Sequence, residues 1–277
     1  MEDSKRNKKY KDGKNKKYKE NISESKDFEL EDDLIEGRNP CLEAIKAGRT
    51  INKIMIAKGS DQGSINKIVA MAKQSRIVVQ EVEKEKLDSM SKIKNHQGII
   101  AIASFKEYVE VEDILDKAKS KGEVPFVIIL DQVQDVYNLG AVIRTANAVG
   151  AHGIIIPKRR SASLNSIVAK TSAGAIEYVD VARVSNISAS INKLKSEGLW
   201  IAGLDAKADE EFYEADFKSP LAIVIGGEGD GLGRLVKENC DFLVKLPMCG
   251  EIYSLNASVA AGIVMYEALK QRSIGSK

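Results

Sequence analysis

The chain has 277 residues, 43% apolar and 30% charged, with 42 basic against 40 acidic side chains and a formal net charge of +2. No apolar run approaches the roughly 18 residues of a membrane-spanning helix, and the N-terminal MEDSKRNKKYKDGKNKKYKE lacks the apolar core of a secretory signal, so a cytoplasmic protein with room for two domains is expected. Cys41, Cys240 and Cys249 form no C-x-x-C pair and the histidines are only His96 and His152, which argues against a disulfide framework, a zinc site and histidine-based metal chemistry; no metal is expected.

Residues 1–22 hold eight Lys and one Arg against four acids, a balance of +5, so the remainder carries 2 minus 5, or −3. Such a segment buries too little apolar surface to offset its ordering entropy, and residues 1–30 are expected to be a disordered basic tail. It reads either as a solvated extension or as an arm with salt-sensitive attraction to nucleic acid.

After the acidic FELEDD, the stretch IEGRNPCLEAIKAGR predicts a helix with Asn39 as N-cap, Pro40 at its first position and Gly48 as its stop. A strand at INKIMIA, a helix carrying Ile65, Ile68, Val69 and Ala72, a strand at RIVVQEV, a short helix from Lys84 to Met90 and a strand at GIIAIAS complete a small α/β domain over residues 31–105. Residues 106–122 are charged and partly helical, the pattern of a linker with little core of its own.

From residue 123 onward, apolar strands (VPFVIIL, GIII, YVDVARV, LWIAGLD, LAIVIG, FLVKLP) alternate with helices at Leu139–Val149, Leu164–Thr171, Ile187–Leu194 and about Ala257–Gln271. This predicts a mainly parallel sheet covered on both faces, with ligands at the carboxyl ends of its strands. The segment LAIVIGGEGDGLG ends one such strand and crowds Gly226, Gly227, Gly229, Gly231 and Gly233 together, so something must approach its backbone closely. Its spacing fits neither the G-x-G-x-x-G dinucleotide fingerprint nor a Walker A loop. Two further strand ends accompany it. ILDQVQDVYNLGAVIRTANAVGA is read with Asn138 capping a helix that carries Arg144, and LVKLPMCGEIYSLNASVAAG with Ser254 or Asn256 capping the last helix.

Together these three segments resemble the three motifs of the SpoU (TrmH-like) branch of the knotted SPOUT methyltransferases. Asn138, Leu139, Gly140, Arg144, Thr145 and Ala146 fit the first motif. Gly226, Glu228, Gly229 and Gly231 fit the second; Leu246, Pro247, Met248, Gly250, Ser254, Leu255, Asn256 and Ser258 fit the third. The match spans residues 124–272, while IEGRNPCLEAIKAG and NHQGIIA resemble the N-terminal substrate-binding domain of the RlmB-like subgroup, which modifies the ribose of a guanosine in 23S rRNA. The resemblance implies a C-terminal domain with a deep trefoil knot, 2′-O-methylation of RNA with S-adenosylmethionine, and a homodimer formed through the last helix and the helix bearing Arg144. It places Gly226, Gly227, Gly229, Leu246, Met248, Leu255 and Asn256 around the cofactor, and Arg144, Asn138, Glu228, Ser254 and Asn256 at the reacting ribose. Arg144 would act chiefly through its charge; a structural ion pair is its alternative. Lys158, Arg159 and Arg160, at the same rim of the sheet, and Arg38 in the first domain are candidate RNA contacts, with a solvated loop the alternative for the first three. Family members often have proline where this chain has Val136 and a small polar residue where it has Tyr253, which would stack on the target base or cover the pocket. The competing readings are a tRNA ribose methyltransferase and a non-catalytic RNA-binding or ribosome-assembly protein.

Overall fold

A computed structural model describes residues 34–60, 63–93, 95–229, 231–251 and 254–274. The basic tail and Tyr253 lie outside these residues. The chain divides into two compact units between Ser104 and Phe105.

In the first unit the chain order is β1 (Leu34–Glu36), α1 (Arg38–Lys46), β2 (Ile51–Ala57), α2 (Ser64–Gln74), β3 (Val78–Val82), α3 (Lys84–Met90) and β4 (Ile99–Ala103). The sheet order is β1-β4-β2-β3, with β4 antiparallel to both neighbours and β2 parallel to β3. β2 and β4 are buried on both faces. Ile54, Ile56, Ile99 and Ala101 pack with Cys41 of α1 and with Ile65 and Ile68 of α2, while Met55, Ile100 and Ile102 pack with Leu87 of α3. That double burial explains why these strands read as continuous apolar runs. Asn39 is not the N-cap of α1. Gly37 occupies that position at φ 94, and Pro40 falls within the first turn. The Arg38 amide instead donates to Gln97 Oε1 at 3.2 Å, and its Nε to the Gln97 carbonyl at 3.1 Å.

The second unit contains α4 (Val111–Lys121), β5 (Phe126–Asp131), α5 (Val136–Ala148), β6 (Gly153–Pro157), α6 (Ser166–Thr171), β7 (Asp180–Val184), α7 (Ile187–Ser196), β8 (Trp200–Leu204), β9 (Glu210–Glu211), β10 (Leu221–Gly226), α8 (Arg234–Asn239), β11 (Phe242–Lys245) and α9 (Ala257–Ile274). Its seven-stranded sheet is parallel throughout, in the order β7-β6-β5-β10-β8-β11-β9. One core, around Ile128, Leu130, Ile143, Ile223 and Val264, joins the sheet to α5, α6 and α9. The other, around Ile129, Ile155, Ile191 and Val224, joins it to α4, α7 and α8. The segment 106–122 therefore differs from the expected linker. Val111 and Ile114 of α4 belong to this second core, and Glu110 and Asp113 form a capping box at the start of the helix. The charges that suggested a linker cover the solvent side of a helix whose apolar positions face the sheet.

The chain winds outward from β5 through β6 to β7, crosses to β8, and then returns β10 to the slot between β5 and β8. This reversal creates a switch point at the carboxyl ends of β5 and β10, where open α/β sheets form ligand crevices.

Candidate functional site

Three loops leave the sheet at this end. The loop after β5 begins at Asp131, which is buried, and passes through Gln132 in the left-handed region at φ 63. Asp135, not Asn138, caps α5: its carboxylate accepts from the Tyr137 amide at 2.7 Å and the Asn138 amide at 3.0 Å. Asn138 is thereby moved into the first helical turn, where its side chain is free to point across the strand ends.

The glycine loop after β10 folds back on itself through a bridge between Gly227 and Gly231. A Cβ on Gly226 would lie 2.3 Å from the Gly231 carbonyl carbon, and one on Gly227 would lie 2.5 Å from the Gln132 carbonyl oxygen. The crowding that excludes side chains here is thus the protein's own backbone, from the returning loop and from the loop after β5. Asp131 fastens the far end by accepting from the Gly233 amide at 2.8 Å. Asp131 and Gln132 are support residues that the sequence analysis missed. The signal for Asp131 was a lone carboxylate closing an otherwise apolar strand.

The third loop, from Leu246 to Gly250, belongs to no strand or helix, and Asn256 ends it as the cap of α9, its Oδ1 accepting from the Ser258 amide at 2.9 Å. Ser254 is exposed and takes no part in this cap. The same Asn256 reaches across with its amide nitrogen, donating to Asn138 Oδ1 at 2.9 Å and to Glu228 Oε1 at 2.7 Å; Asn138 Nδ2 also donates to Glu228 Oε1, at 2.6 Å. One residue from each loop therefore meets in a closed triangle. Both protons of the Asn256 amide are used, whereas one N–H of Asn138 and the second oxygen of Glu228 have no partner among the described residues. Asn138 and Glu228 line a cavity of about 380 Å³ together with Gln132, Val133, Gln134 and Asp135.

Leu246 and Met248 are partly buried, and Leu255 is 41% exposed. With Gly226 and Gly227 they offer apolar side chains and main-chain groups of the open loop, with no charged side chain among them. Arg144 is exposed on α5, and among the described residues none forms an ion pair with it. Arg159 and Arg160 are exposed just beyond the end of β6, whereas the Lys158 main chain continues the ladder to β7, its amide donating to the Val184 carbonyl at 2.8 Å and its carbonyl accepting from Arg183 Nη2 at 3.2 Å. Cys41 is fully buried, and burial raises its thiol to about 11; burial likewise pushes Cys240 to about 12, so neither is a reactive thiolate. Among the described residues no helix is long and apolar enough to cross a membrane, and no cluster of side chains could hold a metal ion.

Comparison with known proteins decides the family. Residues 125–266, more than half of the chain, match the model of the SpoU rRNA methylase family. The chain belongs to the SpoU family. Residues 34–109 match the RNA 2′-O ribose methyltransferase substrate-binding model that accompanies SpoU domains. A Bacillus subtilis (strain 168) relative, YacO, named for the TrmH family tRNA/rRNA methyltransferases, is 47% identical over 87% of this SpoU protein and 96% of its own length. Among solved structures, an RNA 2′-O ribose methyltransferase superposes with TM-score 0.51 at 27% identity, covering 87% of this chain and 88% of that one. The SpoU methyltransferase AviRb from Streptomyces viridochromogenes, in complex with AdoMet, shares the fold at TM-score 0.57 and 22% identity over 87% of this chain and 91% of its own.

Proposed function

We propose that this SpoU-family RNA methyltransferase uses S-adenosylmethionine to methylate the ribose 2′-hydroxyl of a guanosine in 23S rRNA. The observation that carries the reading is the Asn138–Glu228–Asn256 triangle. It ties the three loops together and leaves one N–H donor and one carboxylate oxygen on the wall of a cavity. A donor and an acceptor side by side suit a sugar hydroxyl, which both accepts and donates.

The residues around Gly226 and Leu246 fit the cofactor. Apolar Leu246, Met248 and Leu255 suit adenine and the methylene chain, and main-chain groups of the open loop suit the polar edges, which is how small-molecule sites combine apolar walls with a few fixed polar groups. Gly227 and Gly229 complete this wall. When bound, S-adenosylmethionine supplies an electrophilic methyl group on a sulfonium. The chain's own task is to orient a weak nucleophile and to stabilise the charge it develops. Glu228 and Asn138 orient the ribose, Asn256 holds both in register while capping α9, and Ser254 lies on the same loop as a further hydrogen-bonding group. The Arg144 guanidinium, exposed and without a partner among the described residues, is available to a phosphate and to the developing alkoxide.

Arg144 and Asn138 lie on different sides of α5, and this reading includes a homodimer in which Arg144 serves the partner's site. It is supported by Val259, Ile263 and Tyr266, which recur at helical spacing on α9 and are 51%, 38% and 53% exposed. A Cβ added at Gly262 on that helix would lie 4.0 Å from Thr145 Cγ2, next to Arg144. The placement of β10 between β5 and β8 supports threading of the C-terminal chain in a trefoil knot. Lys158, Arg159, Arg160 and Arg38 are proposed phosphate contacts. The substrate-binding match of residues 34–109 supports an RNA ribose as the substrate, and the match to the SpoU rRNA methylase model supports ribosomal RNA.

The test is nucleoside mass spectrometry of 23S rRNA fragments incubated with the protein and S-adenosylmethionine, beside the Arg144→Ala variant. The expected product is 2′-O-methylguanosine, formed by the intact protein alone. Methylation of bulk tRNA but of no 23S fragment would overturn the substrate, and absence of methyl transfer to either RNA would overturn the activity.

A further inference from the structure

A second feature lies along the β8-β11-β9 edge of the same sheet. Trp200, the chain's single tryptophan, opens β8 and is 54% exposed, a costly placement for the largest side chain. The parallel register pairs Phe242 with Ala202 and Glu210 with Val244, so Trp200, Phe242 and Glu210 lie on one face of adjoining strands β8, β11 and β9. This is the face that carries the core around Ile223, and the core stops short at this edge. The chain returning toward β10 roofs the remaining space, leaving a cavity of about 370 Å³ lined by Trp200, Phe242, Glu210, Ala215, Asp216 and Ser219.

Two aromatic walls, two carboxylates and no basic side chain line this cavity. The Glu210 carboxylate has no hydrogen bond or ion pair among the described residues. Asp216 accepts from the Lys218 amide at 2.9 Å and the Ser219 hydroxyl at 3.2 Å. Arg272 is the cation whose charge reaches Asp216, but its guanidinium is bound to main-chain carbonyls, including Ser219 O at 2.7 Å. The surroundings extend the negative field. Asp209 and Glu214 are exposed without ion pairs among the described residues, and Tyr213 beside them is 51% exposed. An acidic, aromatic face repels RNA phosphates and attracts cations, which gain from carboxylates and from the faces of aromatic rings together.

We propose that this pocket receives a lysine or arginine side chain from a basic segment of a partner protein, its charge between Glu210 and Asp216 and its aliphatic stem against Trp200 and Phe242. The pocket lies along the outer strands β8, β11 and β9, whereas the polar triangle sits at the ends of β5 and β10, so the two are separate surfaces. They give the enzyme one surface for RNA and one for protein. The opposing explanation is that Glu210 merely guards an edge strand against pairing, in which case the pocket binds nothing.

Because Trp200 is the single tryptophan, fluorescence excited selectively in the indole band, away from the tyrosines, reports on this pocket. The intact protein is titrated with a short blocked peptide of alternating arginine and glycine, with the same peptide bearing citrulline for arginine, and with a uridine oligonucleotide. The expected result is a saturable, salt-sensitive emission change with the arginine peptide only, weakened about tenfold or more in the Glu210→Gln/Asp216→Asn variant, which keeps its circular dichroism spectrum and its methyl transfer. No saturable change, an equal response to the citrulline peptide or to the oligonucleotide, or binding indifferent to the double substitution would each overturn the proposal.

Discussion

Two arginines on helices of the same face of the parallel sheet, α9 and α5, are used in opposite ways. At the amino end, Arg272 donates to the carbonyls of Val124 at 3.0 Å, Pro125 at 3.2 Å, Phe217 at 2.9 Å and Ser219 at 2.7 Å, and it lies 4.7 Å from the centre of the Phe126 ring. Burial lowers its pKa to about 10, which still leaves it charged at neutral pH. Arg144, two thirds of the way along α5, is exposed and touches no described polar partner. A cation with four N–H donors bound to its own backbone holds a structure together, and one whose donors are open among the described residues is available for chemistry. The amino end also contains His152, buried, with Nδ1 accepting from the Phe126 amide at 3.0 Å and Nε2 facing Glu123 at 3.0 Å. The carboxyl end spends its polar groups on one another, in a triangle open toward solvent.

The sharpest way to break this contrast is to exchange the consequences of the two arginines. Arg272→Ala leaves buried carbonyls without donors and is expected to lower unfolding free energy by on the order of 3 kcal/mol, seen as a shift of the urea midpoint, while turnover per folded molecule changes little. Arg144→Ala should do the reverse. Its turnover falls by roughly 10² or more, with stability changed by less than about 0.5 kcal/mol and cofactor affinity retained. An Arg144→Ala protein that unfolds early, or an Arg272→Ala protein with an unmoved midpoint, would erase the distinction.

Gly226→Ala probes the carboxyl end through its backbone. Since the added methyl meets the Gly231 carbonyl carbon at 2.3 Å, the loop must shift. Calorimetry should then show S-adenosylmethionine binding weakened by about tenfold, or about 1.4 kcal/mol; unchanged affinity would mean that the loop shapes no cofactor wall. The smallest effect concerns His152. Burial lowers its pKa below the ordinary imidazole value, outweighing the Glu123 carboxylate, which acts in the opposite direction. Below about pH 6.5 the unfolded chain takes up a proton that the folded group resists, so stability is full above that pH and declines as pH falls toward the lower folded value. Thermal melts of the intact protein and His152→Gln between pH 7.5 and 5 should converge as the pH drops. A constant gap between them would exclude this linkage.

Much of the architecture is legible from one dimension. The apolar runs at INKIMIA, GIIAIAS and LAIVIG are strands within a residue of their expected bounds, because central strands covered on both faces must be apolar throughout. The reading failed where a local rule had a better-placed competitor. Asn39 and Asn138 are both good capping residues, but Gly37 and Asp135 each stand immediately before the first residue of the helix and take the role. Glu210–Glu211 and Arg234–Asn239 are too short and too polar to show any period.

Periodicity and residue type, then, determined the α/β class, the parallel sheet and the three strand ends that hold Asn138, Glu228 and Asn256, since these depend on short-range burial and backbone preference. The tertiary structure alone decided that β10 enters between β5 and β8, that α4 joins the second core, that Gly226 is crowded by Gly231 rather than by a ligand, and that the three polar side chains close into one triangle. Each of these joins residues distant along the chain, Asn138 and Asn256 being 118 apart. Such contacts arise from the packing of whole strands and helices, which no local window of sequence contains.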